Sequence, residues 1–133
     1  AKERGARLVQ RLAVSIASHS PLMQQASQHF GELIGRLNLR PPQVPLIANM
    51  SAQALTTVEE LRAELSAQLT GTVQWTRSVQ AMVAQGVDTF VEIGPKQVLS
   101  GLIRRITPES RPISLSDAEV VKLLARVGEA EPA

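Results

Sequence analysis

Two rhythms of apolar and polar residues run along this chain, and the places where one gives way to the other mark its elements. Residues 1–4 read as the tail of a helix closed by Gly5. Over residues 6–15, Leu8, Val9, Leu12 and Val14 follow a near-alternating pattern that predicts one or two extended segments. Residues 21–38 change period: Leu22, Ala26, Phe30, Leu33, Ile34 and Leu37 recur at three- and four-residue spacing and predict a helix with one apolar face. Arg40-Pro41-Pro42-Gln43 stops that helix. Val44-Pro45-Leu46-Ile47-Ala48 then predicts a short buried strand, with Pro45 favouring an edge or a strand start.

Residues 49–53 read as a loop at that strand's end. Thr57 and Glu60 form a Thr-x-x-Glu capping box, opening a helix to about residue 69 with Leu61, Leu65 and Leu69 inward. After a turn over residues 70–73, a helix over 74–85 carries Trp75, Val79, Met82 and Val83 and ends at Gly86. Residues 88–93 make the best strand in the chain, broken by Gly94-Pro95. A helix over 97–106 presents Val98, Leu99, Leu102, Ile103 and Ile106, and residues 111–115 predict a further strand. Ser116 and Glu119 suggest a second capping box for a helix to about residue 127, with a fraying tail over 128–133. The order strand, helix, strand, helix, helix, strand, helix, strand, helix predicts an α/β protein with a largely parallel sheet.

Composition narrows the chemistry. At 133 residues the chain is one domain or part of a larger one. Its aromatics are Phe30, Trp75 and Phe90 alone, so the core must be aliphatic. The absence of cysteine excludes disulfides, thiol catalysis and thiolate metal sites and suits a reducing, cytoplasmic setting. With two histidines and no cysteine, no metal site is expected. A net charge of +2 and the scarcity of stacking aromatics speak against a nucleic-acid partner. No apolar run approaches a membrane span. The charged opening Lys2-Glu3-Arg4-Gly5, without an initiator Met, suggests a fragment or a processed piece.

The stretch Leu12-Ala13-Val14-Ser15-Ile16-Ala17-Ser18-His19-Ser20-Pro21-Leu22-Met23 holds the main candidate. Ser20 suits an N-cap and Pro21 the first helical position, so His19 stands on a short turn at a helix mouth. The positive end of the helix dipole disfavours imidazolium there, which suits a proton acceptor. By themselves the residues leave two roles open: a general base, or a histidine that closes a turn. His29, among polar neighbours inside the following helix, carries no assigned role.

Five blocks then appear in order: Val14-Ser15-Ile16-Ala17-Ser18-His19-Ser20-Pro21-Leu22-Met23; Val44-Pro45-Leu46-Ile47-Ala48-Asn49; Val73-Gln74-Trp75-Thr76-Arg77-Ser78-Val79; Phe90-Val91-Glu92-Ile93-Gly94-Pro95; and Val98-Leu99-Ser100-Gly101-Leu102. Together, over residues 1–106, they resemble the C-terminal part of malonyl-CoA:acyl carrier protein transacylases and related acyltransferase domains of polyketide and fatty-acid synthases. The resemblance implies an α/β-hydrolase-like acyltransferase core. Residues 1–15 would end a small ferredoxin-like subdomain, 16–127 form the C-terminal part of the large subdomain, and 128–133 be a tail.

That family uses a serine in a Gly-x-Ser-x-Gly elbow and a histidine base. The serine accepts malonyl from coenzyme A and passes it to the phosphopantetheine thiol of an acyl carrier protein, in fatty-acid biosynthesis, with no tightly bound cofactor. The resemblance implies that His19 is the base and that a main-chain carbonyl orients it, with Gln68 as the counterpart; an ordinary polar residue at a helix end is the plain alternative for Gln68. Ile16, Ala17 and Ser18 fill the position that senses the acyl group, leaving malonyl and methylmalonyl both open, since one methyl is worth only about 1–3 kcal/mol. Asn49 is either a turn former or a residue lining the acyl pocket. Lys96-Gln97 departs from the Gly-Lys often found after Gly-Pro. Arg104-Arg105 is either a basic surface for an acidic carrier protein or a solvated helix end.

No serine of this sequence lies in a Gly-x-Ser-x-Gly segment. The family's arginine for the malonyl carboxylate falls upstream of Ala1. The expectation is a chain that does not turn over alone and needs an N-terminal part carrying the nucleophile, with Leu8, Val9, Leu12 and Leu46 partly exposed in isolation. A noncatalytic fragment that binds a carrier protein is the alternative from another class.

Overall fold

A computed structural model describes residues 2–10 and 15–115. The chain divides into two compact units, one built from Ala1–Pro41 and Thr57–Val73, the other from Pro42–Thr56 and Gln74–Ala133. The helix expected over 116–127, the tail beyond it, and Leu12 and Val14 lie outside the described residues.

The first unit begins with a 3-10 turn over Lys2–Arg4, ended by Gly5 at φ 82°, the left-handed conformation that glycine adopts without steric cost. Residues 6–10 form no strand, and Leu8 and Val9 are exposed. Alternation makes a strand only where a second strand offers its hydrogen bonds, and no described residue pairs with this stretch.

The helix expected over 21–38 is a 3-10 turn, Pro21–Met23, running into helix α1, Gln24–Arg36. Helix α2, Val58–Ala67, opens with the expected capping box. Thr57 Oγ1 accepts from the Glu60 N–H at 3.2 Å, and a Glu60 carboxylate oxygen accepts from the Thr57 N–H at 3.0 Å.

Helices α1 and α2 meet along a face that the apolar pattern marked only in Ile34 and Phe30. The buried residues of α1 are Ser27 and Ile34, while Leu22, Ala26, Leu33 and Leu37 are exposed and Phe30 is half-buried. Gly31 faces α2 here, where a Cβ would meet Ser66 Oγ at an ordinary 3.8 Å. Small residues let two helix backbones approach closely, and hydrogen bonds then fix the contact. Ser27 Oγ donates to the Ser66 carbonyl at 2.7 Å, and the Arg62 guanidinium donates to the carbonyls of Ile34 and Leu37.

In the second unit the expected strand over 44–48 shrinks to β1, Leu46–Ile47, which pairs antiparallel with β2, Ala54–Leu55. It is not buried as expected: Leu46 is exposed and Ile47 half-buried. A tight turn brings the chain straight back onto β1. Ala48 N–H donates to the Gln53 carbonyl at 2.8 Å, and Ala52 sits at φ 59° inside that turn.

Helix α3 spans Trp75–Ala84, β3 Thr89–Ile93, α4 Val98–Ile106 and β4 Arg111–Leu115. Strands β3 and β4 are parallel, with Phe90 opposite Pro112 and Glu92 opposite Ser114, so α4 is the crossover that a parallel pair requires. The α/β class with parallel pairing is therefore present, accompanied among the described residues by one short antiparallel pair.

The core of this unit is Val79, Phe90 and Ile103, flanked by Trp75, Met82, Val83, Val87 and Ile106. Val98, Leu99 and Leu102 of α4 remain exposed, as do Val91, Ile93 and Ile113 on the other face of the parallel pair. No helix among the described residues is long and apolar enough to cross a membrane.

Candidate functional site

The turn over residues 15–20 is held by the Ser20 hydroxyl and by main-chain groups. Ser20 occupies the expected N-cap position and Pro21 the first position behind it, but the Ser20 hydroxyl does not cap. It donates instead to the Ala17 carbonyl at 2.7 Å, closing the turn. Its carbonyl accepts from the Met23 N–H at 3.1 Å. His19 consequently takes a left-handed backbone, φ 61°, which histidine tolerates better than most side chains. Ile16, Ala17, Ser18 and His19 are all exposed.

Two adjacent carbonyls after α2 receive His19. Its backbone N–H donates to the Leu69 carbonyl at 2.9 Å, and ring Nδ1 lies 2.9 Å from the Gln68 carbonyl oxygen. A carbonyl only accepts, so that contact requires the proton on Nδ1 and leaves the Nε2 lone pair outward. Among the described residues Nε2 has no hydrogen-bond partner.

The carbonyls at this helix end are each satisfied. Ser66 is met by Ser27 Oγ, Ala67 by the N–H groups of Thr70 and Gly71, Gln68 by His19 Nδ1 and Leu69 by His19 N–H. The histidine thus lies between two helix ends of opposite sign.

Of the sequence candidates, His19 and Gln68 are brought together, with Ile16, Ala17 and Ser18 on the same turn. Asn49 belongs to the other unit, half-buried, where its carbonyl accepts from the Gln74 N–H at 2.6 Å. That bond ties the end of β1 to the start of α3, as does Ser78 Oγ on the Ala48 carbonyl at 3.3 Å. His29 is exposed. Sequence reasoning missed Leu69, Ser27 and Arg62. The Ser27–Gly31 spacing was a readable sign of close helix packing, whereas Leu69 acts through its backbone and carries no sequence signal.

The strand-to-helix junction after β3 is capped by a side chain. Glu92 carboxylate oxygens accept from the N–H groups of Leu99 at 3.0 Å and Ser100 at 2.8 Å. The nearby Ser100 hydroxyl, then the Ser100 N–H, aided by those of Leu99 and Val98, hold this carboxyl below its ordinary value of 4.5. Gly94 has φ 137° and Lys96 φ 77°, so the Gly-Pro-Lys segment bends sharply before α4. The Lys96 carbonyl accepts from Ser114 Oγ at 3.2 Å. Arg104 and Arg105 are exposed at the end of α4. Among the described residues no group of three or more His, Cys, Asp or Glu side chains is placed to hold a metal ion.

No family model matches the chain. The malonyl CoA-acyl carrier protein transacylase of Bacillus subtilis is 37% identical over 123 residues, which is 92% of this chain and 39% of that protein. A crystal structure of malonyl-CoA:acyl carrier protein transacylase from Xanthomonas oryzae superposes with a TM-score of 0.83 at 39% identity, over 94% of this chain and 40% of that one. A malonyl-transacylase solved in complex with a type II PKS acyl-carrier protein superposes with a TM-score of 0.84 at 32% identity, over 94% and 41%. By sequence and fold together, the chain is similar to malonyl CoA-acyl carrier protein transacylases and spans about two-fifths of the length of the relatives it matches.

Proposed function

We propose that this chain is the C-terminal, histidine-bearing part of a malonyl-CoA:acyl carrier protein transacylase, an acyltransferase of cytoplasmic fatty-acid biosynthesis. The observation that carries the reading is the Nδ1 contact with the Gln68 carbonyl, which leaves Nε2 as an exposed acceptor. The remainder of the protein supplies the serine. Residues 1–15 end its small subdomain and 16–127 continue the large one. The unpaired Leu8 and Val9 and the uncovered Val91, Ile93 and Ile113 support a further layer of protein, because parallel sheets are normally covered on both faces.

In this reading His19 Nε2 takes the serine proton as the serine oxygen attacks the malonyl thioester carbon. The tetrahedral intermediate collapses, the carbon–sulfur bond breaks, and coenzyme A leaves with the proton returned by His19. The carrier-protein thiol then gives its proton to Nε2 and attacks the serine ester. The serine oxygen departs, taking that proton. The Gln68 carbonyl plays the part that a carboxylate plays in a Ser-His-Asp triad: it fixes the tautomer and the ring plane. Ile16, Ala17 and Ser18, on the turn before the base, contact the acyl group. No cofactor takes part; malonyl-CoA and the acyl carrier protein are the substrates, and neither nucleic acid nor membrane is a partner.

Incubating the complete protein with malonyl-CoA and with methylmalonyl-CoA, followed by intact mass measurement, tests this directly. A covalent malonyl adduct that transfers to holo acyl carrier protein is the expected result. No adduct with either thioester would defeat the reading.

A further inference from the structure

Resting on that reading, we propose that Arg62 and Ser27 are positioning residues for His19: they tie α1 to α2 at two points, and the tie sets the approach of Nδ1 to the Gln68 carbonyl. The His19 ring is exposed, and among the described residues the Gln68 carbonyl is its one hydrogen-bond partner. Both partners in its hydrogen bond are therefore placed by the helices that carry them. His19 leads into α1 through the Pro21–Met23 turn, and Gln68 is the C-cap of α2.

Ser27 Oγ grips the Ser66 carbonyl, in the same helix terminus that presents Gln68. At the far end of the pair, Arg62 spans the last carbonyls of α1, reaching Ile34 and Leu37. Gly31 lies between the two ties, facing Ser66. Loss of either tie lets α1 slide on α2, and the Nδ1 contact lengthens with it.

The consequence is chemical, not only mechanical. A neutral imidazole in water prefers its proton on Nε2, the wrong nitrogen for a base that must accept there. A single neutral hydrogen bond from Nδ1 reverses that preference only while distance and angle are good. Arg62 and Ser27 keep them good without touching the ring or a substrate.

The test uses the complete protein with 15N-labelled histidine, at a pH where the imidazole is neutral, together with steady-state malonyl transfer. Arg62→Met and Ser27→Ala should each move the His19 ring from the Nδ1–H signature towards a mixture with Nε2–H. Each should lower kcat about tenfold with KM for malonyl-CoA unchanged, as expected for misplacement of a catalytic group. Arg62→Lys, which keeps a cationic donor, should recover part of both. Retention of the Nδ1–H signature and of kcat in a variant with lowered Tm overturns the proposal, leaving the ties merely structural. Should Arg62→Met fail to fold, Ser27→Ala, which removes one hydroxyl, decides by the same readouts. Transfer that is indifferent to His19→Ala defeats the functional reading instead, and the ring spectra still report whether the ties position it.

Discussion

Two junctions of this protein lead into a helix through a non-glycine residue in the left-handed region, His19 at φ 61° and Lys96 at φ 77°. They commit their polar groups in opposite ways. Before α4, a carboxylate from β3 closes the helix N-terminus, since Glu92 takes the N–H groups of Leu99 and Ser100. Before α1, the serine that is placed to cap turns back to Ala17, and the left-handed residue sends its ring to the end of a different helix. One junction uses its chemistry to hold the fold. The other holds its turn with one hydroxyl and one ring nitrogen and leaves the second ring nitrogen unoccupied. Similar backbone geometry therefore says little about function; what matters is which donors and acceptors remain after local needs are met.

The sharpest way to break this contrast is His19→Ala in the complete protein. Malonyl transfer should fall by at least about a hundredfold, the scale of a lost general base, while thermal stability changes little because the side chain is exposed. Near-normal turnover would put both junctions in the same structural category.

Glu92→Gln should do the reverse, lowering Tm at neutral pH by weakening the charged cap of α4. The sign with pH follows from its depressed folded-state value. The stabilisation is complete above the ordinary carboxylate value of 4.5 and is lost as pH falls through the lower folded value. Thermal melts across the acid range should show that loss in the parent and not in Glu92→Gln; parallel curves would remove Glu92 from the account.

Smaller effects sharpen the comparison further. Thr57→Ala removes the hydroxyl half of the α2 capping box and should cost about 1 kcal/mol by denaturant titration. Part of that loss should reach His19, whose partners are carried at the other end of α2. Lys96→Gly should gain on the order of 0.5–1 kcal/mol, because relief of left-handed strain exceeds the added chain entropy of glycine. Destabilisation there would mean that the lysine side chain holds the junction.

Much of the helical layout was legible. The capping box at Thr57 and Glu60, the turn at Gly86 and the period of Trp75, Val79, Met82 and Val83 each rest on interactions within a few residues, and these recur in the structure. The β3–α4–β4 unit was readable for the same reason, through an apolar run broken by Gly94-Pro95. The strand expected around Leu46 was legible in position but not in pairing. Whether an extended run joins a parallel sheet or folds back on Ala54–Leu55 depends on a partner that is not encoded in the run itself.

The sequence by itself determined the local elements of this protein and which side chains can carry chemistry, because propensity, capping and side-chain identity act over short distances. Only the tertiary structure decided that α1 is joined to α2 through Ser27 and Arg62, with its leucines left exposed, and that His19 faces the carbonyls of Gln68 and Leu69. The physical reason is that a backbone carbonyl is the same in every residue. Its availability as an acceptor depends on where a helix ends and on what packs there, which no side-chain pattern records.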